Sequence, residues 1–466
     1  MIFHSLEYLV FLSAVLAVYW QLPRRAQNLF IVGASYLFYG WEHPWFLLPL
    51  IASTLVDFAC AIAMERFPAR KRLFLLSSVA ASVALLGTFK YYSFAVQNLN
   101  ALLASGHIPP LRDVWHLALP VGLSFYTFQS IGYVVDVYRG RVKASRDLIE
   151  YALYVSFFPQ LVAGPIERGW HMLPQYRSTR TFDPVAARSA VLLMLWGFFK
   201  KLVIADQCAI VANKVFALAT PAFPVLWAGV FAFAIQIYAD FSGYTDIARA
   251  SARLLGIGLM ENFRQPYLAT SPSDFWRRWH ISLSTWLRDF VYIPLGGSRC
   301  SVARNSANLL ITFTLSGLWH GASWNFVLWG IYWGLLILVE RFLVWLGVGK
   351  TLPLAFKVVI TFALTSAGWL LFRERSLAQL GHDLAQMPTA ATAAHWQVGC
   401  YLLLLCVFYA LPLIGEMMID RYPKSVVATV NTWRGFATEA ALGVLLLCGI
   451  IIGRSVVASD FIYFQF

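Results

Sequence analysis

Two histidines stand where proton-transfer chemistry is conceivable, because an imidazole changes charge near neutral pH and can accept or release a proton there. His280 lies in DFWRRWHISLSTWLRDF, Asp274 to Phe290, and His320 lies between two glycines in Gly317-Leu318-Trp319-His320-Gly321. In the first stretch Trp276, Trp279, Leu283, Trp286, Leu287 and Phe290 recur at helical spacing, which predicts one apolar face carrying His280. On one continuous helix Arg277 and Arg288, about three turns apart, share the opposite face with Arg278 nearby. Such a helix suits a membrane boundary, or entry into the protein beside an anionic ligand. The structural alternative has the arginines meeting lipid phosphates and His280 as a hydrogen-bonded core residue.

The second stretch, Asn305 to Val339, contains no Asp, Glu, Lys or Arg. As a single helix it would be about 52 Å long, more than the roughly 40–45 Å of a whole bilayer. It should therefore break, and the glycine-flanked His320 is the obvious place. The expected first arm of about twelve residues rises about 18 Å, too short to cross a 30 Å hydrocarbon core. His320 would then sit at membrane depth, where an ionisable residue is a functional candidate. The alternative is a full hairpin that turns at the surface, with His320 at the interface.

Acidic residues inside apolar runs form a third set. Asp240 and Asp246 flank Phe241-Ser242-Gly243-Tyr244-Thr245, and Asp136 closes an earlier run. Buried carboxylates need partners, and Arg249 and Arg139 are near in sequence, so structural ion pairs are expected. Lys200 and Lys201 read as snorkelling anchors, and Glu167 with Arg168 as a boundary pair. No glycine-rich phosphate loop, His-Glu-x-x-His or Gly-x-Ser-x-Gly occurs, which leaves familiar nucleotide motors, zinc proteases and serine hydrolases unsupported. Six scattered cysteines with no Cys-x-x-Cys pair point to neither a disulfide scaffold nor a metal site.

The elements that must position these residues follow from composition. Of 466 residues 59% are hydrophobic and 13% charged, against about 25% charged in a soluble domain. An all-α polytopic integral membrane protein is the class that fits. Apolar runs near 6–22, 27–41, 45–64, 73–93, 117–136, 148–165, 186–206, 222–248, 306–339, 353–372, 398–418 and 436–457 predict about 10–12 membrane helices, some re-entrant or interfacial. No linker or internal repeat divides them, so residues 1–466 are expected to form a single integral membrane domain. The net charge of +13 sits in short clusters between these runs, as in inter-helix loops, and argues against nucleic acid. In the first five spans one side collects Arg24, Arg25, Arg66, Arg70, Lys71, Arg72, Arg139, Arg141, Lys143 and Arg146, while the other carries Arg112 alone. The positive-inside rule makes the rich side cytoplasmic and the N-terminus periplasmic. No basic residue precedes the first run, which reads as a retained helix rather than a cleaved signal.

Together the words along the chain resemble the membrane-bound O-acyltransferase (MBOAT) family, in particular its bacterial branch that acetylates alginate, cellulose and peptidoglycan. They are ASYLFYGW (34–41), LPVGLSFYTFQSIGYVVDVYRG (119–140), SFFPQLVAGPIER (156–168) and YADFSGYTDIA (238–248). They continue with PYLATSPSDFWRRWHISLSTWLRDFVYIPLGGSR (266–299), SGLWHGASWNFVLWG (316–330), GWLLFR (368–373) and the terminal FIYFQF. Ala239 departs from the bulkier residue found in many relatives, which touches pocket detail.

The resemblance implies an MBOAT-like core over about 115–375, a central cavity open towards both faces, and acyl transfer inside the membrane. It makes His320 the candidate catalytic residue and matches His280 to the family's second position, as orienter of the acceptor or stabiliser of the oxyanion. Trp276, Trp279, Arg277, Arg278, Ser282, Arg288, Trp319, Asn325, Asp240 and Tyr244 are the candidate substrate-binding residues. The implied donor is acetyl-CoA from the cytoplasm, with no permanently bound cofactor and no metal. The implied partners are a periplasmic acetyltransferase of the SGNH-hydrolase type and a polysaccharide synthase complex, and the implied location is the bacterial inner membrane. Two other readings stay open: D-alanyl transfer to a cell-envelope polymer, and transport of a lipid-linked saccharide with the histidines as a proton relay.

Overall fold

The computed structural model describes residues 1–113, 118–162, 164–348, 352–374, 376–419, 433–455 and 461–462. Residues 463–466 of the terminal FIYFQF lie outside the described residues. Every regular element among the described residues is helical. Among the described residues seven helical stretches are long and apolar enough to cross a membrane: 44–66, 68–105, 223–254, 324–345, 354–373, 393–418 and 435–453. The protein is therefore a multi-pass membrane protein. Other expected runs are realised as shorter helices, the run from 6 being a 14-residue helix. The chain folds into two compact units, and no linker in the sequence marks where one passes into the other.

The first unit comprises Met1–Ala187 and Ala248–Met260. Its helices are α1 (Leu6–Tyr19), α2 (Arg24–Tyr39), α3 (Leu47–Arg66), α4 (Lys71–Leu86), α5 (Tyr92–Ser105), α6 (Leu123–Tyr138), α7 (Leu148–Ser156), α8 (Phe158–Leu161) and α9 (Gly169–Arg177). Side-chain oxygens start two of them: Ser5 accepts the Tyr8 N–H, and Asp147 accepts those of Ile149 and Glu150. Gly122 is obligatory at the head of α6, since its φ is +78° and an added Cβ would stand 2.4 Å from the Leu161 carbonyl oxygen. Asp136 pairs with Arg141 at 3.5 Å.

Glu167 is no boundary residue: it is fully buried, and its carboxylate meets His171 Nδ1 at 2.7 Å and the Met260 N–H at 2.6 Å. The hydrogen bond to Glu167 raises the His171 pKa, and burial raises that of Glu167. A histidine whose folded pKa lies above its unfolded value stabilises the fold below that unfolded value and loses the contribution as pH rises through the folded pKa. A carboxyl raised by burial also favours the fold towards acid. The melting temperature in detergent should thus fall as pH is taken from 6 to 8, and His171→Ala should flatten that slope; equal slopes would exclude the pair as the cause.

The second unit comprises Arg188–Ile247 and Glu261–Phe466. It takes in most of α10 (Pro184–Phe199) and α12 (Phe223–Leu254), and all of α11 (Asp206–Phe216), α13 (Pro272–Arg278), α14 (Ile281–Leu287), α15 (Val302–His320), α16 (Trp324–Trp345), α17 (Leu354–Arg373), α18 (Leu377–Leu384), α19 (Ala393–Ile419) and α20 (Trp433–Gly453). In α12 89% of the most apolar stretch is buried, against 11% in α20, so α12 is an inner pillar and α20 presents its apolar side chains outward. α10 crosses α12 through Gly197 and Gly243, where a Cβ on either would stand within 2.8 Å of the other's carbonyl oxygen.

That close crossing brings the lysines after α10 against carboxylates of α12. Lys200 binds Asp246. Lys201 lies 2.9 Å from Asp206 and 3.0 Å from Asp240, all three fully buried. The snorkelling expectation fails for both lysines, because the glycine contact leaves them facing acids instead of the membrane surface. The carboxylates are held in ion pairs, with lysines rather than only the nearby arginines.

α15 and α16 form the hairpin expected from the uncharged stretch, broken at 321–323. The first arm is longer than expected. It starts at Val302, where Ser301 accepts the Arg304 N–H, and runs 19 residues, a rise of about 28 Å. That is close to the thickness of a hydrocarbon core, so arm length does not place His320 at mid-membrane. Protein encloses it instead: His320 is 3% exposed.

Candidate functional site

His320 is the last residue of α15, and the three residues that follow reverse the chain into α16. Aromatic rings close round its imidazole: Trp319 at 5.0 Å, Trp329 at 5.0 Å and Phe372 at 5.4 Å between centroids. The His280 ring lies 6.5 Å away at 62°. It is itself edge-on to Phe241 at 4.8 Å and to Trp319 at 5.7 Å, so Trp319 touches both histidines. A wider cluster backs the pair, with Trp276 on Trp329 at 5.7 Å and Trp369 on Trp279 at 5.0 Å. Rings of this size remove a large apolar area from water and fix one another's orientation.

The stretch from Asp274 to Phe290 is not one helix. α13 ends at Arg278, Trp279 is extended, and His280 takes a left-handed conformation with φ +43° before α14 begins. This costs about 1–2 kcal/mol for a non-glycine residue and persists only if neighbours over-determine it. Asn262 supplies that constraint. Its backbone carbonyl accepts the Ile281 N–H at 2.9 Å, and its side-chain Oδ1 accepts from the Ser282 N–H at 3.2 Å and the Ser282 hydroxyl at 3.0 Å. The break therefore separates Arg277 from Arg288, which do not share a helix face, and turns His280 inward.

The same Asn262 oxygen sits 3.2 Å from His280 Nδ1. The Ser282 backbone N–H can only donate, so the Asn262 atom it meets is the amide oxygen, and His280 Nδ1 must carry the proton that bonds to it. The lone pair is thereby assigned to Nε2. Burial pushes the His280 pKa down to about 3, which keeps the ring neutral at physiological pH. Asn262 was not recognised as a site residue from sequence; it lies eighteen positions upstream and no local pattern marks it. Asn262→Ala should lower turnover by roughly 10²-fold, because it removes the bonds that hold the imidazole in place. Comparing kcat with the melting temperature tests this, and a native kcat would rule out the role.

The other sequence candidates divide into two groups. Trp276, Trp279, Trp319 and Ser282 belong to the histidine surroundings, and Ser282 serves the chain break through Asn262. Asn325 donates to the Glu374 carbonyl at 2.7 Å, tying the start of α16 to the end of α17. Asp240 is engaged by Lys201, and Tyr244 packs against Phe461 at 4.1 Å, so both are enclosed in packing. Arg277 and Arg278 lie beside Asp274 at 3.6 and 3.0 Å, and Arg288 beside Asp289 at 2.9 Å. Arg288 also lines a cavity of about 170 Å³ with Trp276, Leu287, Thr312, Phe313 and Ser316. Trp276 connects this cavity to the ring that packs on His320. Among the described residues no cluster of His, Cys, Asp or Glu is arranged to hold a metal ion.

Two buried histidines enclosed by aromatic rings in an all-helical membrane protein define a class of site suited to proton transfer from a buried hydroxyl. The model of the family described as "MBOAT, membrane-bound O-acyltransferase family" matches residues 141–346, which include both histidines. Over an alignment of 499 positions that covers all of both chains, the protein is 37% identical to the "probable alginate O-acetylase AlgI" of Pseudomonas putida. It is 41% identical to the protein of that name from Azotobacter vinelandii over 81% of this chain and 76% of the relative. It is 35% identical to the "peptidoglycan O-acetyltransferase" of Helicobacter pylori over 77% of this chain and 74% of the relative. The chain belongs to the membrane-bound O-acyltransferase family, and it is an O-acyltransferase. Membership decides for acyl transfer over the transport reading.

Proposed function

We propose that this enzyme moves acetyl groups from acetyl-CoA on the cytoplasmic side to an exopolysaccharide of alginate or cellulose type, directly or through a serine of a periplasmic partner. The observation that carries the chemistry is the buried imidazole pair, 6.5 Å between ring centroids, inside an aromatic enclosure. The relatives' names, O-acetylases of alginate and peptidoglycan, support acetyl as the group and a cell-envelope glycan as acceptor.

His320 accepts the proton of the acceptor hydroxyl as its oxygen attacks the thioester carbonyl. The new C–O bond forms, the C–S bond breaks, and the proton leaves with the thiolate as free thiol. General-base assistance of this kind contributes roughly 10²–10⁴ in rate. The C-terminal end of α15, negative by its peptide dipoles, favours the positive charge that develops on the ring. His280, with its proton committed to Asn262, offers a lone pair to the incoming hydroxyl and so orients the acceptor. Its geometry supports this role over donation to the oxyanion.

Arg288 at the rim of the 170 Å³ cavity is the favoured contact for the donor's phosphates, with Arg277 and Arg278 as further candidates. The arginine-rich loops of the first spans support a bacterial inner-membrane location with the N-terminus outside. An SGNH-type acetyltransferase and a polysaccharide synthase are the proposed partners. Purified enzyme incubated with labelled acetyl-CoA and an oligosaccharide acceptor should pass label to the sugar, and only with His320 intact. Transfer from a D-alanyl carrier protein but not from acetyl-CoA would overturn the donor assignment in favour of a D-alanyl transferase.

A further inference from the structure

Phe461 and Ile462 connect to the histidine pair through packing that none of the catalytic steps uses. After α20, the Ser455 N–H donates to the Leu202 carbonyl at 3.2 Å, beside Lys201. The Ile462 N–H donates to Asp240 Oδ2 at 2.7 Å, so the Lys201 ion cluster also holds Ile462. Phe461, fully buried, packs against Tyr244 at 4.1 Å and 31° and meets Phe241 at 5.9 Å and 63°. Phe241 in turn stands perpendicular to the His280 ring at 4.8 Å. The Nδ1 edge of His280 is thus fixed by Asn262, and the ring packs against Phe241, which Phe461 braces.

We infer that Phe461 and Ile462 form a strap, and that Phe461 is a positioning residue that acts through Phe241 to hold His280 in its reactive orientation. The Asp240 carboxylate, held by Lys201, is the anchor of this strap. Its presence explains why an acid on α12 is buried beside the site without touching a reacting atom. This inference rests on the acyl-transfer role of His280 for its kinetic readout, but its geometry can be tested without any transfer assay.

Diethyl pyrocarbonate carbethoxylates accessible imidazoles, and mass spectrometry reports the extent at each histidine. In the full-length enzyme in detergent His280, fully buried, should react slowly. Phe461→Ala should raise the reaction rate at His280 about tenfold and lower kcat about tenfold while the KM for acetyl-CoA stays within about twofold. Phe461→Leu, which keeps most of the apolar volume, should restore most of both. Where Phe461→Ala does not accumulate, Ile462→Pro removes the N–H that meets Asp240 and keeps the ring, and it should unmask His280 in the same way. His280 still protected in Phe461→Ala, or in Ile462→Pro, overturns the strap. So does a loss of turnover that Phe461→Leu fails to rescue. If the native enzyme itself transfers no acetyl group, the proposed function fails, and the footprint still decides the strap.

Discussion

Replacing His320 by alanine should reduce acyl transfer by about 10²–10⁴-fold while the protein still inserts and keeps its helical content. The size follows from the loss of a general base placed at the end of a helix and enclosed by Trp319, Trp329 and Phe372. Positioning by those rings and exclusion of water survive the substitution, so a residual rate above the uncatalysed reaction is expected. His320→Asn, closer in volume, separates chemistry from packing: it should be as inactive as the alanine variant but melt nearer the native temperature. Native turnover in either variant, measured with labelled acetyl-CoA, would remove His320 from the mechanism.

The largest effect on stability is expected at Lys201. Its ammonium is the shared counter-ion of Asp206 and Asp240, and none of the three is more than 2% exposed. Lys201→Met leaves both carboxylates without it, a change that typically costs about 3–5 kcal/mol for a buried pair. The melting temperature in detergent should drop sharply. Combining Lys201→Met with Asp206→Asn and Asp240→Asn should recover part of the loss, because the uncompensated charges go with the lysine. A single variant as stable as the native enzyme would show that the cluster carries no net stabilisation.

Much of the site was legible because short words preserve local chemistry. The Trp-His-x-Ser and Trp-His-Gly words single out His280 and His320, and an uncharged stretch too long for one helix demands a break beside the second. The break beside the first was not legible. Apolar residues at Trp276, Trp279, Leu283 and Trp286 fit a single helix by periodicity, and the same spacing is kept when the helix is cut and its halves both turn inward. What cuts it is Asn262, a contact outside any local window. The lysine partners of the buried acids were missed for a related reason. Arg249 and Arg139 are close in sequence, whereas Lys200 and Lys201 reach Asp246 and Asp240 through the Gly197–Gly243 crossing, which a single sequence does not reveal. Sequence position is a poor guide to neighbours once helices cross.

The turn that presents His320 leaves almost no latitude for sequence drift. A Cβ on Gly317 would stand 2.0 Å from the Phe326 carbonyl oxygen, and one on Gly330 would stand 2.3 Å from that of Phe313. Two main chains in direct contact cannot admit even a methyl group without parting, and any parting would carry the imidazole away from Trp329. New acceptor preferences must therefore evolve through residues other than these two glycines. A saturation library selected for acetylation should come back nearly blank at both glycines.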